Sequence, residues 1–599
     1  VDVRDSTFLF GSTGTGRASL SVNGEEIPVS PNGAWLAWVP VPPGPDSLIT
    51  FVVQASAGSD STSLTHTVRR VRRFQEPPRG LWLDSASATP GGRVWWPADE
   101  FLPVSVRASE GATVRLVLPG GVVVPLTPET VTEEAPAGIR AFDRDTTNLL
   151  APRRAERYTG LLRGRAIGSN PGPLLGVTPS PAGCCCCAGS VAMDSAVVIE
   201  AINGGDTVRA RWPLRLALLD SVPQVVEFND DTAGTGKSDS LTVGRARPGA
   251  TYHWFFPTGT RTVATARLGD DLRVRLSRGQ EAWVPAADAI GLRLGSAAAR
   301  GTVQSLTVTP DSDRIVIRIP VTQRVPFRVE EADRELTVRL YNAVGDLNWI
   351  RYGRNDPYLR SLQWLQTSSD EVTITARLAG GVWGYRTRWN RNDLLLEIRR
   401  PPTINPARPL AGRLIVVDPG HPPLGAVGPT GLREADANLA VAQALRELLV
   451  QDGARVLMTR TTDQPVELWA RVKFADSVSA DLLVSIHNNA LPDGVNPFTN
   501  NGASVFYNHP RSIPLAQAIQ QALVRQLGVR DLGAARGDLA LVRPTWMPAV
   551  LTEGLFLMVP EQESALRQPS GQRAYALAVR DGIVQFLKRV ATGQGTGVP

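Results

Sequence analysis

The stretch Arg413-Leu-Ile-Val-Val-Asp-Pro-Gly-His421 decides how the last third of this 599-residue chain is read. Its apolar run has strand length, and Asp418-Pro419-Gly420 breaks it, so a histidine arrives at the strand's carboxyl end. Thirteen positions later Gly431-Leu-Arg-Glu434 supplies a carboxylate, just before a helical pattern begins. Asp481-Leu-Leu-Val-Ser-Ile-His487 repeats the arrangement with a second histidine, and Ala549-Val-Leu-Thr-Glu553 with a second carboxylate. Ligands of an open α/β sheet gather outside the carboxyl ends of its strands. The four side chains are therefore expected to converge as a metal site with a spare carboxylate.

Outward from that stretch, strands alternate with helices. Strand 414–417 precedes a helix over 437–450, whose Leu439, Ala442, Leu445 and Leu449 form an apolar stripe. Asp436 is the expected N-cap and Gly453 the stop. Strands over 455–459, 482–486, 503–507 and 549–552 follow, with helices over 467–477, 512–527 and 571–589. Such alternation predicts a mostly parallel sheet covered by helices on both faces.

His421, Glu434 and His487 make a His/Glu/His set, one of the standard three-ligand groups of hydrolytic zinc, which keeps a fourth position open. Amide cleavage also needs a group that takes a proton from water and returns one to the leaving nitrogen, and Glu553 can do both in turn. Asp418 reads as a turn residue, not a ligand, and His509, in Asn508-His-Pro, as a surface turn.

The local sequences sharpen this. Val417-Asp-Pro-Gly-His421, Gly431-Leu-Arg-Glu434, Thr459-Arg-Thr-Thr-Asp463, Leu468-Trp-Ala-Arg471, Ser485-Ile-His-Asn488 and Pro548-Ala-Val-Leu-Thr-Glu553 resemble, in order, the zinc-dependent N-acetylmuramoyl-L-alanine amidases of the amidase-3 family. The resemblance covers about 412–590. It implies Zn2+ on His421, Glu434 and His487, catalysis by Glu553, and the muramic acid–L-alanine amide of peptidoglycan as substrate. Two departures stand out: Pro422-Pro423 follows the first histidine where the family has glycines, and Glu553-Gly-Leu-Phe556 replaces Glu-x-Gly-Phe. Some family members block the zinc with a helix inserted after the second histidine. Residues 490–502 are too short for such a plug, which predicts a site open by default.

The first 400 residues read as several small all-β domains. Residues 1–76 resemble an immunoglobulin-like sandwich; Gly11-Ser-Thr-Gly-Thr-Gly16 lacks the Lys-Ser/Thr ending of a phosphate loop and reads as a strand connection. An internal repeat sets Pro90-Gly-Gly-Arg-Val-Trp-Trp-Pro97 against Pro248-Gly-Ala-Thr-Tyr-His-Trp-Phe-Phe-Pro257. It places one β-rich unit at 77–170 (SH3-like or Ig-like) and a second, SH3-like, at 191–300, with a linker at 171–190. Whether the runs within 191–230 belong to the first unit is left open. The aromatic pairs read as core, with a carbohydrate platform as the sharper alternative, and His253 as packed or solvated. Clean period-two alternation over 301–402 predicts an antiparallel β-domain similar to AMIN-type domains, then a linker at 403–411, the catalytic unit at 412–590 and a flexible tail at 591–599.

Composition sets the remaining bounds. Charged residues at 20% and hydrophobic ones at 42% suit globular domains, and no apolar run is long enough for a membrane span. A net charge of +6, nearly all arginine, is modest for this length, and the Arg69–Arg73 cluster reads as a solvated face or linker, so no nucleic-acid partner is expected. Cys184 to Cys187 are adjacent, which suits neither one zinc nor disulfide geometry. The chain opens at Val1, which fits removal of an export signal and equally a trimmed chain. The expectation is an exported enzyme of the periplasm, cell envelope or exterior, with peptidoglycan as partner and envelope or divisome proteins as further partners of the β-domains. Its rivals are a zinc peptidase acting on the stem peptide and a non-catalytic wall-binding scaffold.

Overall fold

The computed structural model describes residues 6–41, 48–69, 80–118, 121–132, 142, 153–166, 171–172, 193–194, 197–219, 222–232, 234 and 241–593. Cys184 to Cys187, Arg70 to Arg73, most of the 171–190 segment and residues 594–599 lie outside the described residues.

Elements of the C-terminal unit are numbered from its own first strand: β1 Leu414–Pro419, α1 Glu434–Gln451, β2 Arg455–Met458, α2 Leu468–Ser477, β3 Leu482–Asn489, α3 Pro497–Asn500, β4 Ala503–Tyr507, α4 Ile513–Leu527, β5 Asp531–Arg536, β6 Ala549–Phe556, α5 Pro560–Arg567 and α6 Pro569–Ala591. The sheet order is β2-β1-β3-β6-β4-β5. All neighbours run parallel except β4 against β6. The three strands that carry His421, His487 and Glu553 are thus adjacent, and their carboxyl ends share one rim.

Both faces of these strands are buried, which is why their sequences read as continuous apolar runs. Ile415, Val417, Val484 and Val550 point into a core with Leu445 and Leu449 of α1, Ile519 and Leu523 of α4, and Val579 and Ile583 of α6. The alternate residues Val416, Leu483, Ala549 and Leu551 meet Val472 and Ala475 of α2, Leu541 and Trp546.

Expectations for the C-terminal unit need correction at several points. Helix α1 begins at Glu434, so Asp436 lies in its first turn instead of capping it. Glu434 starts the helix because its N–H donates to Ala426 O at 2.8 Å while its carboxylate accepts from Ala426 N at 3.0 Å. Strand β5 and helix α5 were not anticipated: Asp-Leu-Gly-Ala-Ala-Arg has no β-branched residue, and Pro560-Glu-Gln-Glu-Ser is mostly polar. The segment expected as a linker at 403–411 also contributes to packing, since Ile404 and Leu410 are buried in the core of the C-terminal unit.

In the N-terminal region, residues 6–69 form a two-stranded and a four-stranded sheet around Leu20, Val22, Trp35, Ile49 and Phe51. The next two sheets exchange strands, so the division at 171–190 does not separate them. Val198–Asn203 and Asp206–Arg211 extend the sheet containing Thr113–Val117, while Gly92–Trp96 pairs with Leu214–Leu219 and Arg261–Leu268. The cause is burial: Ile199 and Ala201 pack on Val114 and Leu116, and Trp95 and Trp96 face opposite cores. The repeat's Trp95, Trp96, Trp254 and Phe256 are all core residues, so they form no exposed platform.

Residues 301–402 build a five-stranded and a four-stranded sheet around one core, antiparallel as expected except that Gly301–Pro310 runs parallel to Ala343–Tyr352. This unit is docked firmly on the C-terminal unit. Trp383 is fully buried and stacks on Phe586 of α6 at 5.9 Å. Tyr385 N donates to Thr545 O at 2.7 Å. The buried Arg511 guanidinium pairs with the buried Glu331 carboxylate across the boundary. Breaking a buried ion pair from one side leaves an uncompensated charge and costs about 3–5 kcal/mol. Glu331→Ala is expected to lower stability by about that amount, seen in equilibrium denaturation as one earlier transition in which both units unfold together.

Candidate metal centre and catalytic carboxylate

His421 follows the end of β1 in a left-handed backbone conformation, φ 56. Two arginines hold the chain there by its carbonyls. Arg471 donates to Pro419 O at 2.7 Å, Pro422 O at 2.9 Å and His421 O at 3.2 Å. Arg460 donates to Pro419 O at 2.9 Å and Gly420 O at 2.8 Å. Gly420 has no room for a side chain, because a Cβ would come within 2.3 Å of the His487 ring. The two imidazoles consequently approach to 5.0 Å, nearly perpendicular.

Glu434 lies between them. Its Oε2 is 3.2 Å from His421 Nε2 and its Oε1 is 3.1 Å from His487 Nδ1. One ligand atom from each of the three residues lies within 4.8 Å of the others. His421 Nδ1 donates to Pro423 O at 3.1 Å, which leaves its Nε2 lone pair facing a carboxylate oxygen. A lone pair facing an anion calls for a proton or a cation between them, so the donor set fits a divalent metal ion. Burial pushes the Glu434 carboxyl up, yet the hydrogen bonds from the two imidazoles outweigh it and hold the group well below the usual carboxylate range.

Glu553 faces His487 directly across the β3–β6 pair. Its Oε2 is sealed from solvent with no hydrogen-bond partner among the described residues. Burial first, then the Glu434 charge, pushes its carboxyl well above the ordinary value. The structure thus gathers three metal-ligand candidates and a further carboxylate with one sealed oxygen on one rim, while His421 and His487 keep part of their surface open to solvent.

Residues 415–585 match the N-acetylmuramoyl-L-alanine amidase family. The probable cell wall amidase LytH of Staphylococcus epidermidis is 31% identical over 213 residues, 35% of this chain and 69% of that protein. The chain belongs to this amidase family. N-acetylmuramoyl-L-alanine amidase LytC of Bacillus subtilis is 34% identical over 186 residues, 30% of this chain but only 36% of that protein's length. The catalytic domain of the amidase CwlV from Bacillus (Paenibacillus) polymyxa var. colistinus is 32% identical, aligned over 29% of this chain and 98% of that one, with a TM-score of 0.28.

Several residues that shape this amidase site escaped the sequence reading. Asp418, expected as a turn residue, lies within β1. It is instead a buried anion that accepts from Arg471 at 2.9 Å, Thr459 at 2.5 Å and Ser485 at 2.6 Å. Glu563 of α5 is fully buried and accepts from Thr430 N and Oγ1 and from Leu432 N, clamping the loop that delivers Glu434. Nothing in the local sequence separates such carboxylates from surface ones. His509 is not a surface turn: its Nε2 donates to Arg543 O at 2.8 Å, and burial pulls its pKa down to about 3. It packs beside Glu331 and Arg511 and is not part of the His421–Glu434–His487 group.

The hydrogen bond to Glu434 raises the His421 pKa above the usual histidine value. In chelator-stripped amidase that contribution to stability is complete below the unfolded imidazole pKa of about 6.5 and disappears as pH climbs through the elevated folded value. A metal ion competes with the proton. Thermal unfolding with and without chelator is expected to show stability falling over this window for stripped protein only, and the same slope in loaded protein would contradict the shared site.

Proposed function

We propose that this amidase is a zinc enzyme that hydrolyses the amide joining N-acetylmuramic acid to L-alanine, in the cell wall outside the cytoplasm. The observation that carries the reading is Glu434 shared between His421 and His487, with Glu553 opposite His487 on the next strand. His421, Glu434 and His487 would hold the ion. Zinc on such a set supplies Lewis acidity, acidifying water to a pKa near about 7 and polarising a carbonyl. Glu553 takes the proton from the attacking water and passes it to the departing L-alanine nitrogen; its raised pKa suits a group that must hold a proton near neutral pH. The site is open without a partner's help, since Leu491 and Val495 of the short 490–502 connection turn toward Phe556 and Met558. The N-terminal β-units, with their Ig-like, SH3-like and AMIN-like patterns, serve as envelope-binding modules, and protein partners would meet the enzyme through them.

Digestion of isolated sacculi followed by mass spectrometry tests this. Intact stem peptides beginning with L-alanine should appear, and a chelator should abolish them; cuts within the stem would point to a peptidase. Glu553→Gln should keep its metal and lose about 10²–10⁴-fold in kcat. A fully active, metal-loaded Glu553→Gln protein would refute the role given to that carboxylate.

A further inference from the structure

Regular pairing stops beside Glu553. His487 faces Glu553, but Asn489 faces Phe556, so β6 carries one extra residue just after the carboxylate. Such a bulge leaves ladder groups unpaired and re-aims side chains near active sites. Two backbone groups flanking this bulge, the Gly554 N–H and the His487 carbonyl, meet one side chain. Tyr575 Oη accepts from Gly554 N at 2.9 Å and donates to His487 O at 2.9 Å, with Thr552 Oγ1 as a third partner at 2.8 Å.

Tyr575 projects from α6 and is fully buried. A Cβ at Gly554 would come within 2.2 Å of its ring. The glycine that directly follows Glu553, one place earlier than the amidase-3 pattern, is therefore where the tyrosine ring requires it. The hydroxyl links the backbone of a metal-ligand candidate on β3 to the backbone beside the carboxylate on β6.

We propose that Tyr575 is a positioning residue whose hydroxyl locks the β6 bulge and so fixes where Glu553 stands relative to His487. The proposal rests on the amidase reading. Phenylalanine at this site keeps the ring and its packing but leaves a buried N–H and a buried carbonyl short of a partner. The strand relieves that by shifting the bulge, which carries the carboxylate away from its aim. A displacement of about 1 Å can cost about a hundredfold in rate.

The test is Tyr575→Phe in the full chain, assayed on a soluble muramyl-peptide. The expected result is a fall of about a hundredfold in kcat with KM and bound metal per chain unchanged, and faster hydrogen exchange at the Gly554 amide. A hydroxyl that merely stabilises the fold would lower the melting temperature and leave kcat of the folded protein within twofold; that result overturns the proposal, as does a rate loss that tracks lost metal. Should Tyr575→Phe not fold, Thr552→Val removes one partner of the hydroxyl and spares the ring. A severalfold drop in kcat at full metal content supports the proposal, and an unchanged kcat overturns it. A wild-type chain that frees no L-alanine-terminated peptide sinks the amidase reading instead. Gly554 exchange then still decides the tyrosine's part, faster exchange in Tyr575→Phe supporting it and unchanged exchange overturning it.

Discussion

The site depends on one buried anion that touches no ligand. Asp418 ends the apolar part of β1 at 1% exposure, and its oxygens take donors from Arg471, Thr459 and Ser485, which belong to different elements. A buried carboxylate costs several kcal/mol to desolvate unless its lone pairs are matched, and here they are. The same Arg471 donates through its Nη atoms to the carbonyls of Pro419, His421 and Pro422, and through Nε to that of Val466. The planar guanidinium fork can serve an anion and several carbonyls at once, which an ammonium could not do with the same geometry. That grip over-determines the loop, so His421 persists in a backbone region that residues with a Cβ seldom enter.

On that frame the two glutamates are driven apart in character. Glu434 opens α1, where the helix dipole favours an anion, and it receives both imidazoles; it stays ionised. Glu553 has an unpartnered buried oxygen and feels the Glu434 charge; it resists ionisation. Two carboxylates whose surroundings separate their proton affinities are suited to different chemistry, and these two are separated in that way.

Much of this was legible in the sequence, for a physical reason. Strands buried on both faces leave long apolar runs, and residues that break those runs stand at the strand ends, so His421, His487 and Glu553 could be placed before any coordinates. Glu434 was legible through the helical pattern that begins just after it, and it does open α1. Asp418, Glu563 and Tyr575 were not legible in their roles, because each acts through a partner far along the chain that no local pattern announces. The exchange of strands between the β-units was hidden likewise: Val198–Asn203 alternates as well for one sheet as for the other, and only the cover it gives Leu116 decides.

The sheet's second face shows why the 301–402 β-unit cannot be hung on the amidase as a free arm. The expected helices on both faces are present on one side as α1, α4 and α6, but the other side has only the ten-residue α2 and the turn at Ala540–Val542. Trp546 closes that side, and residues 301–402 close over Trp546. Arg386 lies over its ring at 3.9 Å and Arg399 at 5.5 Å, while the backbone at Gly384 passes so close that a Cβ would come within 2.1 Å of Trp546 O. Arg399 then reaches Asp481 at 2.8 Å, and Asp481 accepts from Leu414 N at 3.0 Å, at the very start of β1. One end of the strand that delivers His421 is thus tied to the β-unit and the other to Arg471. Burial on this scale makes the 301–402 unit a layer of the enzyme.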